Sequence, residues 1–142
     1  MLQDVEMLNY VYQNAEMGRD ALTQLIQITN DTKFRKTMEA QLNEYQNVFD
    51  SAEKMIQERN EQAKGVGPMA KISSRLMVNA KTMMDSSPSK MAQMLIQGST
   101  MGVVEVTRHM KDYDGSDERV NDISQKLLRT EQQNIEEMKK YL

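Results

Sequence analysis

The 142-residue chain contains no cysteine and no tryptophan, a single histidine and only two prolines. Without cysteine there can be no disulfide, no thiol nucleophile and no thiolate metal site. One histidine, His109, restricts triad chemistry to that residue, and no strand-turn-helix elbow presents a serine to it. Five tyrosines and two phenylalanines form no stacking platform for single-stranded nucleic acid. The net charge of −3 is the wrong sign for a phosphate-binding surface, so no nucleic-acid partner is expected. No apolar run approaches the ~20 residues that cross a bilayer. The start, Met1-Leu2-Gln3-Asp4-Val5-Glu6, is acidic where a signal peptide is basic. A cytoplasmic protein of one domain over 1–142, with no membrane association, is the expectation. Gly65-Val66-Gly67 lacks the lysine, strand and spacing of a phosphate loop.

What the chain does have is helical period. Leu8, Val11, Ala15, Gly18, Leu22, Leu25 and Thr29 step alternately by three and four, which predicts a helix over about 3–29. Asn30 and Asp31 supply a turn and an N-cap. Phe34, Met38, Gln41, Tyr45, Val48, Ala52 and Met55 then stripe a second helix over about 32–62. Gly65-Val66-Gly67-Pro68 is read as its stop, and 69–84 as a shorter helix. Ser87-Pro88 restarts the chain with a cap and a first-turn proline, opening a fourth helix over 88–112. Its apolar residues share no single face, so it is expected to be the most buried element. After Asp114-Gly115, Ser116 is the expected cap of a last helix over about 117–141. The predicted class is all-α, two long helical hairpins joined by a crossover that contains a short helix.

Two of these helices carry one motif, Glu44-Tyr45-Gln46-Asn47 and Glu131-Gln132-Gln133-Asn134. Side chains at i and i+3 project from one helix face, so each pair can reach a common ion or partner. Asparagine offers a neutral amide where iron or manganese favours imidazole. Glu16 and Glu105 supply one further carboxylate to each hairpin. Counted from the first turn, Glu16 and Glu44 are level. Glu105 and Glu131 are out of step by about six residues, roughly 9 Å at 1.5 Å per residue. Glu105 also precedes His109 by one helical turn, as a ligand pair or an ordinary ion pair.

On the two hairpins, the crossover near 63–88 and the inward carboxylates, the chain resembles the ferritin-like superfamily over essentially its whole length. That resemblance implies a four-helix bundle whose best-known members hold two metal ions and oxidise iron or reduce peroxides. It implies Glu16, Glu44, Glu105 and Glu131 as metal-ligand candidates for iron or manganese, with both family histidines replaced by Asn47 and Asn134. The alternative for Asn47, Asn134 and His109 is a buried polar network without metal. Some ferritin-like proteins of spore-forming bacteria are coat components, and a non-catalytic structural or interaction role is the leading expectation. A di-iron or di-manganese oxidoreductase is second, and a bundle binding an apolar ligand or partner helix is third.

Fourteen methionines add two further readings. Thioethers ligate Cu(I) and line adaptable grooves, but methionine also fills irregular cores. Core filling is expected, with Met77, Met83 and Met84 partly exposed. Gly18, Gly98 and Gly102 lie inside helices and are expected to mark close helix crossings, since an interior glycine costs about 1 kcal/mol against alanine. A homodimer is expected, built on Ile96, Val103 and Met110 of the fourth helix.

Overall fold

The computed structural model describes residues 2–142, which are all-helical, with no strand among them. The elements are α1 (Asp4–Ile28), α2 (Thr32–Gln57), α3 (Pro68–Met84), α4 (Pro88–Asp112) and α5 (Glu118–Met138), with a closing 3₁₀ turn, Lys139–Tyr141. Two caps act where the sequence puts them. Asp31 accepts from the Phe34 N–H at 2.8 Å, and Ser87 Oγ accepts from the Lys90 N–H at 3.2 Å with Pro88 behind it. Two boundaries differ. Asp117, not Ser116, caps α5, accepting from the Arg119 N–H. The second helix ends at Gln57, short of the expected 62, because Asn60 takes the left-handed conformation (φ 59°) three residues later. Asparagine tolerates that region, and one such residue ends a helix as glycine does.

The four long helices run antiparallel to their neighbours, while α3 runs parallel to α1, with Glu16 level with Lys71 and Gln24 with Arg75 and Asn79. α1 and α2 form one hairpin, and α4 and α5 form the other. At one end, Leu2 bridges to Tyr113, its N–H donating to the Asp112 carbonyl at 2.8 Å. That contact ties the start of α1 to the end of α4. Arg59 pairs with Asp117, and Arg119 with Glu58 at 3.2 Å, which ties the end of α2 to the start of α5. At the other end, Thr37 and Tyr141 share a hydroxyl hydrogen bond of 2.7 Å.

The core is built by α1, α2 and α5, which bury eight residues each. Met7, Leu8, Leu22, Phe34, Met38, Ile56, Leu127 and Met138 are among those sealed from solvent. The fourth helix is not the most buried element. It buries only Met91, Ala92, Ser99, Gly102 and Val106, while Met101 and Val104 face outward. Its all-round apolarity has a different cause: one side packs on the core and another lines an open groove.

That groove exists because α3 touches the rest of the molecule lightly. Thr82 is its only buried residue. Polar contacts hold it to α1. Gln24 Nε2 donates to the Arg75 carbonyl and to Asn79 Oδ1, at 2.9 and 2.8 Å. Just before α3, Gln13 Nε2 donates to the Lys64 carbonyl at 2.8 Å, and the Lys64 N–H returns a bond of the same length to Asn9 Oδ1.

Candidate binding site

The groove between α1, α3 and α4 has a volume of about 630 Å³. Its walls are apolar: Met17 and Ala21 from α1, Met77 and Val78 from α3, Met94 and Leu95 from α4. Small-molecule pockets commonly run ~300–1,000 Å³, with apolar walls and a few polar groups that fix orientation. Here the buried polar residues Gln41, Tyr45, Ser99 and Glu131 meet the cavity from the core side, while Lys81, Glu105 and His109 line it elsewhere.

Glu131 is the centre of that floor. Its side chain is buried, and the Tyr45 hydroxyl donates to its Oε2 at 2.5 Å. Ser99 Oγ stands 3.4 Å from the same hydroxyl. Burial pushes the Glu131 carboxyl up to about 7, against the opposing pull of the Tyr45 and Ser99 hydrogen bonds. Burial first, and the neighbouring carboxylate second, drive the Tyr45 hydroxyl far above its ordinary range. Tyr45 is therefore a fixed donor, whereas Glu131 can be acid or carboxylate near neutrality. One turn before Tyr45 on α2, the buried amide nitrogen of Gln41 has no hydrogen-bond partner. A buried donor left unpaired is costly, so an acceptor brought to it from the groove gains accordingly. Asn134 Nδ2, buried one turn beyond Glu131, is also without a partner.

Two interior glycines make room for these side chains. A methyl at Gly102 would come within 2.5 Å of Glu131 Oε1, and one at Gly18 within 2.7 Å of the Tyr45 ring. The small residues thus admit the floor's own groups rather than a bare helix crossing. Asn14 completes the arrangement, its Nδ2 donating to the Gly102 carbonyl at 3.1 Å. Gly98, one turn earlier on α4, is different. Nothing lies within 4 Å of the position its Cβ would take, and it lines the groove.

The four carboxylates picked out in the sequence do not meet. Glu131 alone lies on the floor. Glu16 is buried but turned toward the crossover, where Oε1 accepts from the Val66 N–H at 2.6 Å and Oε2 pairs with Lys71 at 2.9 Å. It pins the crossover to α1, and Gly65 packs against its carboxyl. Glu44 is exposed, as is Asn47. Burial and the like charge of Glu137 raise the Glu44 carboxyl above its usual range. Glu105 is exposed at the groove's edge. His109 is half-buried and stacks on Tyr10, with ring centroids 3.6 Å apart and planes 7° from parallel. Burial holds its pKa below the ordinary value, and no ion pair with Glu105 occurs among the described residues. Of the expected polar network, only Asn134 is buried. Among the described residues, no three His, Asp or Glu side chains are grouped to hold a metal ion. The carboxylates present do not form the donor set a di-metal centre requires.

Sequence reasoning placed Gln41 and Tyr45 on the inward stripe of α2 but gave them no role beyond packing. The available signal was a glutamine on an otherwise apolar stripe, four residues from a tyrosine. No family model matches the chain, and no curated protein or solved structure matches it either.

Proposed function

We propose that this chain is a binding bundle of ferritin-like topology that takes an elongated, mostly apolar molecule with a terminal hydroxyl. The antiparallel pairing of neighbouring long helices and the long crossover support the topology. One observation carries the ligand reading: an apolar groove of about 630 Å³ is lined by both the buried Glu131 and Gln41, whose buried amide nitrogen has no partner. A hydroxyl suits both groups, donating to the Glu131 carboxylate and accepting from Gln41 Nε2. The walls would cover an alkyl or isoprenoid body through contacts that demand no particular shape, as methionine linings do.

A di-metal oxidoreductase is the weaker reading because Glu44 and Glu105 face solvent and Glu16 is committed to Lys71. Binding of 1-dodecanol tests the proposal, followed by displacement of the neutral fluorophore N-phenyl-1-naphthylamine. The expected result is saturable, one-to-one binding that Gly98→Leu weakens at least tenfold by filling the groove. The reading fails if binding is not saturable, or if Gly98→Leu binds as the native chain does.

A further inference from the structure

The short helix α3 is mounted with its apolar face outward. Lys71 is turned inward to Glu16, Lys81 lines the groove, and Thr82 is buried. Met69, Leu76 and Met83, by contrast, are 81, 62 and 87% exposed. These three recur every seventh residue, with Ser73 and Ala80 between them, both exposed. The 4-3-4-3 spacing makes one continuous seam, as on a helix that pairs with another helix. Ile72 and Met84 flank it, also exposed.

We propose that this seam is a self-association surface, on which α3 of a second copy packs antiparallel across a two-fold axis. Large and small residues alternate along it, and a two-fold near position 78 sets large against small from Ser73 to Met83. Leu76 then meets the partner's Ala80, and Met83 meets the partner's Ser73. A two-fold contact must be self-complementary, and this order of residues is. Nor does charge oppose it. Lys71, Arg75 and Lys81 all project from other faces of the helix, so no cation is buried when two seams meet.

The same features disfavour a lipid surface. An interfacial helix flanks its apolar face with cations and anchors it with Trp or Phe. On α3 the cations lie away from the seam, no aromatic residue is present, and small residues occupy its middle. The contact also differs from a dimer built on α4, since Ile96, Val103 and Met110 are half-buried within one chain.

Light scattering of the full chain at 10–100 micromolar, on the order of common solution conditions, reads the mass directly. The native chain is expected at twice the 16.4 kDa of one copy, and Leu76→Glu at the single-chain mass with unchanged helical circular dichroism. Leu76 is exposed within one chain, so that variant leaves the monomer's core intact. Register is tested in Leu76→Cys/Ala80→Cys, in a chain that has no other cysteine. Mild oxidation is expected to give a covalent dimer. A native chain of single mass, a dimer that survives Leu76→Glu, or a single-mass chain captured by phosphatidylglycerol vesicles would each overturn the proposal. Dodecanol binding is read separately, so failure of the groove and failure of the seam are told apart.

Discussion

Glu44-x-x-Asn47 and Glu131-x-x-Asn134 have identical spacing and opposite environments. On α5 both residues are buried; on α2 both are exposed, and the residue between them, Tyr45, points inward instead. A shift of one position turns a helical side chain by about 100°, enough to move it from core to solvent. The pair therefore does not form a symmetric site. One helix contributes an acid and the other a phenol that donates to it. A motif's spacing says which side chains share a face, but the neighbouring stripe decides whether that face is inside.

The comparison can be broken most forcefully at its inner members. Tyr45→Ala should cost about 3–5 kcal/mol, the range for deleting a buried aromatic, because it empties space against Gly18 and removes the donor to Glu131. Glu44→Ala, one residue away and exposed, should stay within about 0.5 kcal/mol. Urea denaturation of both variants reads the difference.

The next effect is on pH dependence. Glu131 titrates near 7 in the folded chain, against 4.5 as its ordinary value, so folding favours the protonated form. Its contribution is fully present below about pH 4.5 and is lost as pH rises through 7, an effect of at most about 3 kcal/mol. Between pH 5 and 8 the native chain should lose stability from this group, and Glu131→Gln should flatten that slope. Glu44→Gln should leave most of it in place. An unchanged slope in Glu131→Gln would mean that the carboxyl is ionised throughout.

A smaller contrast separates the glycines on α4. Gly102→Ala pushes a methyl against Glu131 and Asn14, and overpacking of this kind typically costs about 1–3 kcal/mol. Gly98→Ala meets open space and should stabilise the chain by up to about 1 kcal/mol through helix propensity alone. Thermal melts of the two variants should therefore move in opposite directions.

Much of the fold was legible because its signals are local. Asp31, Ser87 and Pro88 mark helix starts through chemistry confined to one turn, and the 3-4 stripes of α1 and α2 contain most of the buried residues. What was not legible depends on partners distant in sequence. Glu16 reads as an inward carboxylate like Glu131, yet its partners are Val66 and Lys71 on the crossover. On α4, apolar residues all round suggested burial, but an open groove and solvent take part of that surface. The face α3 turns to the bundle could not be read from its own sequence, since its larger apolar stripe is the outward one. Asn60 ends α2 ahead of Gly65 and Gly67, the stop that the sequence pattern predicts. The floor of the groove needed Gly18, Gln41, Tyr45, Ser99 and Glu131 from four helices to be brought together, and no local pattern announces that.

The most direct measurement of the groove's role is the carbon NMR signal of the glutamate side-chain carboxyls during titration with 1-dodecanol. Glu131 should shift saturably while Glu44 stays in place, and Gly98→Leu should suppress the Glu131 shift. A Glu131 signal that does not move at saturating alcohol, or moves equally in Gly98→Leu, would contradict a ligand seated on the Tyr45–Glu131 floor.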